Sequence, residues 1–133
     1  MKLTKQNYVD LAEKKVLQMK DEKEDRERKD VRELVTTSKI RGILSMMADI
    51  YNDVQNDTKE SLNEEICSRI DYLRVRLVYD AGKEKTVKHF VYVTELLECI
   101  KNIQGKRSEF ILFYHYMEAL VAYFKFYGLD KDI

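Results

Sequence analysis

"SEFILFYHYMEALVAYFKFYG", residues 108–128, decides the fold of this chain. Its apolar residues occupy nearly every side of a helical wheel, and a helix that is hydrophobic all round is buried all round. In a chain of 133 residues such a helix is expected to be the central rod of a bundle; the alternative is that it offers a surplus face to a neighbouring subunit.

The rest of the chain supports a helical architecture. It has no proline and only 4 glycines, too few for a turn-rich β protein. Charged residues make up 36% and apolar residues 44%, a profile that suits a mostly helical protein. Tyr8, Leu11, Ala12, Val16 and Met19 follow helical spacing, with Thr4 as the expected cap. A second helix is expected over residues 38–56, burying Ile40, Ile43, Leu44, Met47, Ile50, Tyr51 and Val54. A third starts at "SLNE", where Ser61 and Glu64 have capping-box spacing, and ends near Gly82. Its inward face is Ile66, Ile70, Leu73, Leu77 and Ala81. Residues 84–103 divide into two shorter helices, with Thr94 as the expected cap between them, and Gly105 breaks the pattern before the last helix. The fold class is therefore all-α, a compact bundle of five or six helices in a single domain spanning residues 1–133, with a largely buried C-terminal helix. Residues 20–35, which include "KDEKEDRERKD", offer the core little and read as a charged, mobile linker after the first helix.

The formal net charge is zero, so affinity for nucleic acid has to come from local patches. Cys67 and Cys99 are the only cysteines and no signal peptide is visible, which reads as a reduced, cytoplasmic protein. No apolar run approaches the ~20 residues that span a bilayer.

Two groups of residues stand out. In "RIDYLRVRLVYDAGK", Arg69, Tyr72, Arg76, Tyr79 and Lys83 fall within about 80° of one another beside the apolar stripe of the third helix. Cations interleaved with rings suit RNA, where phosphates pair with the cations and bases or sugars stack on the rings. The same row also suits an acidic protein partner, or the flank of an ordinary helix. The other group lies in "TTSKIRG". Thr36, Thr37 and Ser38 are helix-start residues, yet Lys39 and Arg41 follow where the dipole favours acids. A phosphate at the helix start would account for that placement, since the free N–H groups, the Ser38 hydroxyl and the two cations could meet there; the alternative is that Lys39 and Arg41 simply flank the core and reach into solvent. Ser38, Gly42, Ser45 and Asp49 add a smooth strip along which another backbone can approach.

Other signals are weaker. Lys83, Lys85, Lys88 and His89 form one basic cluster, and Lys101, Lys106 and Arg107 another; both read equally well as plain surface. His115 and Glu118, one turn apart, read as a structural hydrogen bond. There is no Gly-rich phosphate loop, paired-cysteine metal motif or nucleophile elbow, so neither catalysis, metal nor cofactor is expected.

Three blocks, "LVTTSKIRGILSM", "IDYLRVRLVYDAGK" and "FILFYHYMEALVAYFKFYG", together resemble the small subunit of the type III-A CRISPR–Cas effector, the Csm complex. The resemblance extends over residues 8–128; its one departure is Leu129, where the family pattern has a second glycine. It implies a non-catalytic RNA-binding subunit that stacks in several copies along the duplex of guide RNA and target RNA in antiviral defence. Its partners would be other copies of itself and the backbone and large subunits of the effector, with no membrane. By matching motif, the RNA-contacting residues would be Ser38, Lys39, Arg41, Arg74, Arg76, Tyr79, Lys83 and Lys125. The alternative is a helical adaptor or regulator whose Arg–Tyr stripe binds an acidic protein.

Overall fold

Local capping chemistry sets where the helices begin. The computed structural model describes residues 1–25, 27, 28, 31 and 33–129. These form α1 (Tyr8–Glu24), α2 (Thr37–Gln55), α3 (Glu64–Lys83), α4 (Lys85–Thr94), α5 (Leu96–Lys101) and α6 (Arg107–Phe126). Ahead of α1, Thr4 Oγ1 accepts the Asn7 N–H at 3.1 Å while Asn7 Oδ1 accepts the Thr4 N–H at 2.7 Å. This reciprocal pair closes the turn leading into the helix, and the N-cap position itself falls to Asn7 rather than the expected Thr4. Thr36 caps α2, its hydroxyl accepting the Lys39 N–H at 3.3 Å.

Two further expected caps are corrected. Asn63, not Ser61, caps α3, with its side-chain oxygen 2.8 Å from the Ile66 N–H. Ser61 lies in an isolated antiparallel bridge to Lys106, which ties the α2–α3 loop to the start of α6. From that loop Glu60 accepts the Ser108 N–H at 2.9 Å, placing a carboxylate at the positive end of α6. Thr94 does not cap α5 either; its hydroxyl donates back to the Phe90 carbonyl at 2.7 Å. The break between α4 and α5 falls at Glu95, whose φ of 59° is left-handed. Lys15 at 2.8 Å holds the Glu95 carboxylate in place.

α6 packs against α1 and α2, α2 against α3, α3 against α4, and α4 against α1, closing a ring of helices around one core. α5 touches α3, α4 and α6. Met19, Met47, Leu77, Phe90, Phe110, Phe113 and Tyr116 are fully buried in the middle, drawn from α1, α2, α3, α4 and α6. Burial of each such side chain contributes roughly 1.5–3 kcal/mol. Tyr116 keeps its hydroxyl satisfied by donating to the Thr94 carbonyl at 2.8 Å. α6 is therefore heavily buried but is one member of the ring rather than the expected central rod. It packs on α1, α2 and α5 and little on α3 or α4, and after its first turn Glu118, Ala122, Lys125 and Phe126 face outward.

The expected charged linker begins later than residue 20, because Lys20 to Glu24 complete α1 and Lys20 pairs with Glu24 at 2.9 Å. Val31 and Val35 are buried, and residues 26, 29, 30 and 32 of the remaining segment lie outside the described residues. Antiparallel α1 and α4 are joined by Lys15–Glu95 near one end and by Glu22–His89, 2.6 Å apart, near the other. Burial opposes ionisation of Glu22, but hydrogen bonds from Gln18 and His89 outweigh it and hold the carboxyl below 4.5. The Lys15 hydrogen bond does the same for Glu95 against its own partial burial.

Replacing Asn63 with Ala should cost about 1 kcal/mol, lowering the melting midpoint by roughly 3–6 °C, whereas Ser61→Ala should cost much less. Thermal melts of the two variants check this, and equal losses would contradict the Asn63 cap. Because Glu22 and Glu95 have depressed pKa values, their contribution is present above the unfolded value near 4.5 and is lost as pH falls through the folded value. A Glu22→Gln/Glu95→Gln variant should be less stable at neutral pH and lose less stability between about pH 6 and 3 than the wild type. Urea titrations across that range measure both effects.

Candidate nucleic-acid interface

α2 and α3 run antiparallel, tied by Asp53–Arg69 near one end and by Lys39–Glu84, 2.9 Å apart, near the other. Their apolar stripes point into the bundle, which leaves a groove between their outer flanks. It consists of two adjoining hollows that share Met46 and Arg76. One, of about 570 Å³, is lined by Asp49, Ile50, Arg69, Tyr72 and Leu73 among others. The other, of about 400 Å³, takes Ser38, Lys39 and Gly42 from α2 together with Tyr79, Asp80 and Lys83 from α3. The whole Arg–Tyr stripe of α3 therefore lines one groove, and the start of α2 faces its far half.

Five of the eight residues singled out in the sequence meet here: Ser38, Lys39, Arg76, Tyr79 and Lys83. Arg41 does not join them, because two residues beyond Lys39 is about 200° of helical rotation. Arg74 is turned away from Arg76 by the same geometry. It lines a separate, smaller hollow with Asp71, Ile100 and Lys101 on the α5 side of α3. Lys125 is exposed near the end of α6, outside the groove.

The side chains in the groove are open to solvent yet organised. Tyr72 and Tyr79 are 63% and 59% exposed, unusually high for rings that must find their own cover. The Arg76 guanidinium lies 5.8 Å from the Tyr79 ring centroid and 3.9 Å from Asp80. Above Gly42 nothing lies within 4 Å of where a Cβ would sit, so the wall is low there. The hydrogen bond to Glu84 is the main influence raising the Lys39 pKa above 10.5, which keeps the ammonium charged. Lys39 is thereby less anomalous at a helix start than its sequence position implies, since its head group reaches across to the α3–α4 corner.

Of the carboxylates around this groove, sequence reasoning named Asp49 but missed Asp53, Asp80 and Glu84. Asp80 is legible in retrospect, one turn beyond Arg76. Asp53 and Glu84 are not, since their partners depend on how α2 lies across α3. It also left Arg107 as surface, whereas its guanidinium donates to the Val54 and Gln55 carbonyls at 3.1 and 3.5 Å and closes the end of α2. In the other basic cluster, His89 is committed to Glu22. His115 and Glu118 are 3.0 Å apart on the surface of α6, beside the Tyr8 and Tyr51 rings. Among the described residues no group of three or more His, Cys, Asp or Glu is placed to hold a metal ion, and no helix is long and apolar enough to cross a membrane.

Residues 13–130 match the family model described as Csm2 Type III-A. The CRISPR system Cms protein Csm2 of Streptococcus thermophilus is 43% identical over 131 residues, 98% of each chain. The protein of the same name from Mycobacterium tuberculosis (strain ATCC 25618 / H37Rv) is 38% identical over 92 residues, 69% of this chain and 74% of its own. The Enterococcus italicus protein is 35% identical over 98 residues, covering 71% and 69%. The α2–α3 groove is therefore a feature of a small subunit of the type III-A CRISPR effector, for the chain belongs to the Csm2 family.

Proposed function

We propose that this subunit is a non-catalytic grip on RNA, working in the cytoplasm in antiviral defence. Several copies stack along the guide–target duplex, each turning its α2–α3 groove toward the sugar–phosphate backbone. The observation that carries this reading is the convergence of Ser38 and Lys39 from one helix with Arg76, Tyr79 and Lys83 from another on a single open groove. Pairing between guide and target reads the sequence, so the subunit needs contacts to phosphate and sugar rather than to base edges. Lys39, Arg76 and Lys83 supply charge, and Tyr72 and Tyr79 supply flat, exposed surfaces. Arg41, Arg74 and Lys125 point elsewhere, and in this reading are secondary contacts to other strands or subunits.

Stacking is supported by a different surface. Val75 and Val78 on α3 are 59% and 51% exposed, and Tyr92 on α4 is 80% exposed. Val78 and Tyr92 share a hollow with Ala81 and Val91. Neighbouring copies would cover this apolar face, and their aligned grooves would raise the effective concentration for one long duplex.

On a 20-base-pair RNA duplex, Arg76→Ala and Lys83→Ala should lower affinity about equally for unrelated sequences. Each should flatten the log–log salt dependence by roughly 0.7–0.9. Tyr79→Ala should weaken binding with little change in slope, because stacking releases no counterions. Lys39→Ala should weaken binding more than Arg41→Ala, as only Lys39 lines the groove. Unchanged affinity and slope in the Arg76 and Lys83 variants would remove the groove as an RNA surface. The purified subunit should also cleave neither RNA nor DNA with any divalent metal, and cleavage lost on His115→Ala would overturn the non-catalytic reading.

A further inference from the structure

The groove is crowded with carboxylates to a degree that a simple phosphate grip does not need. Lys39 pairs with Glu84, Arg69 with Asp53 and Arg76 with Asp80. Among the described residues Lys83 alone of the groove's cations has no carboxylate partner, and Asp49 lines the other half. Lys39, Arg69, Arg76 and Lys83 are thus matched by Asp49, Asp53, Asp80 and Glu84, and the free groove is close to neutral.

We infer that Asp53, Asp80 and Glu84 set the groove's affinity for RNA by occupying its cations until a dense array of phosphates displaces them. The inference rests on the RNA-gripping reading and adds how that grip is regulated. The pairs are suited to exchange. Lys39 and Glu84 are 52% and 36% exposed, and Arg76 and Asp80 are 44% and 30% exposed. Ion pairs this open to water contribute at most about 1 kcal/mol, so phosphates can replace them at little cost. The Arg76–Asp80 pair is held more loosely still, at 3.9 Å and with the cation N-terminal to the acid, the weaker order on a helix.

A displaced carboxylate does not leave. It stays tethered beside its cation, well within the ~10 Å over which charges are felt at 0.1 M salt, and repels the arriving phosphate. A lone subunit meeting scattered cellular RNA gains too little to overcome that repulsion. Aligned copies meeting a continuous duplex overcome it together, because each engaged groove holds the next one close to its phosphates. The acids thereby confine RNA binding to the assembled effector.

The test is the affinity of the free subunit for a 20-base-pair RNA duplex, with an Asp80→Asn/Glu84→Gln variant beside the wild type. At about 0.1 M salt the variant should bind roughly three- to tenfold more tightly, and its salt slope should steepen by about 0.7–0.9 for each cation released. An Asp10→Asn/Glu118→Gln variant makes the same change in net charge outside the groove and should gain less than twofold. A merely structural role for the pairs would lower the melting midpoint without raising affinity. Glu84→Gln alone keeps the comparison available should the double variant misfold.

Equal gains in the two double variants would reduce the effect to net charge and overturn the inference. So would no gain from the groove acids while Arg76→Ala still loses binding, a result that leaves the RNA-gripping reading intact. Binding indifferent to every groove substitution, cationic and acidic alike, would overturn both.

Discussion

A helix that is apolar on nearly every side must be covered on nearly every side, and α6 imposes that demand on the whole chain. α1 and α2 supply most of the cover, with Met19 and Met47 fully buried from those two helices. α2 turns Ile43, Met47, Ile50 and Val54 inward, and α3 packs alongside it, across α2, α4 and α5 rather than deep against α6. α3 therefore buries a single stripe and leaves more than half its circumference open. The groove, its tyrosines and the exposed valines beside it follow from that placement.

Much of this was legible in the residues. Regular spacing at Ile66, Ile70, Leu73, Leu77 and Ala81 fixes the inward face of α3, and the same arithmetic places Arg69, Tyr72, Arg76, Tyr79 and Lys83 together on its flank. The burial of α6 is equally plain, because Phe110, Phe113, Tyr116 and Leu120 all need cover from water, but its place as one member of the ring rather than a central rod was not. Caps were harder. Ser61-x-x-Glu64 has capping-box spacing, but Ser61 is drawn into the bridge to Lys106, and Asn63 takes the role. Thr94 is fully buried and bonds backward, so the chain turns at Glu95, a residue without the usual mark of a left-handed turn.

The site was legible within each helix and illegible between them. Lys39 looked like a cation at the wrong pole because its partner, Glu84, is 45 residues away at the α3–α4 corner. Arg41 and Arg74 carry the right charge in matching motifs, yet helical rotation aims them away from the groove. Pairing across helices decides which cations converge and which are neutralised, and no single-helix pattern encodes it. The resulting surface combines a positive row suited to a polyanion with a set of acids that tempers it.

The central claim is that the α2–α3 groove faces the guide–target duplex. Lysine acylation of the assembled effector, read residue by residue before and after target RNA is added, tests it directly. The account predicts that Lys39 and Lys83 lose reactivity when the target pairs, while Lys101 and Lys125 react as before. Unchanged labelling of Lys39 and Lys83, with protection appearing at Lys101 or Lys125 instead, would contradict it.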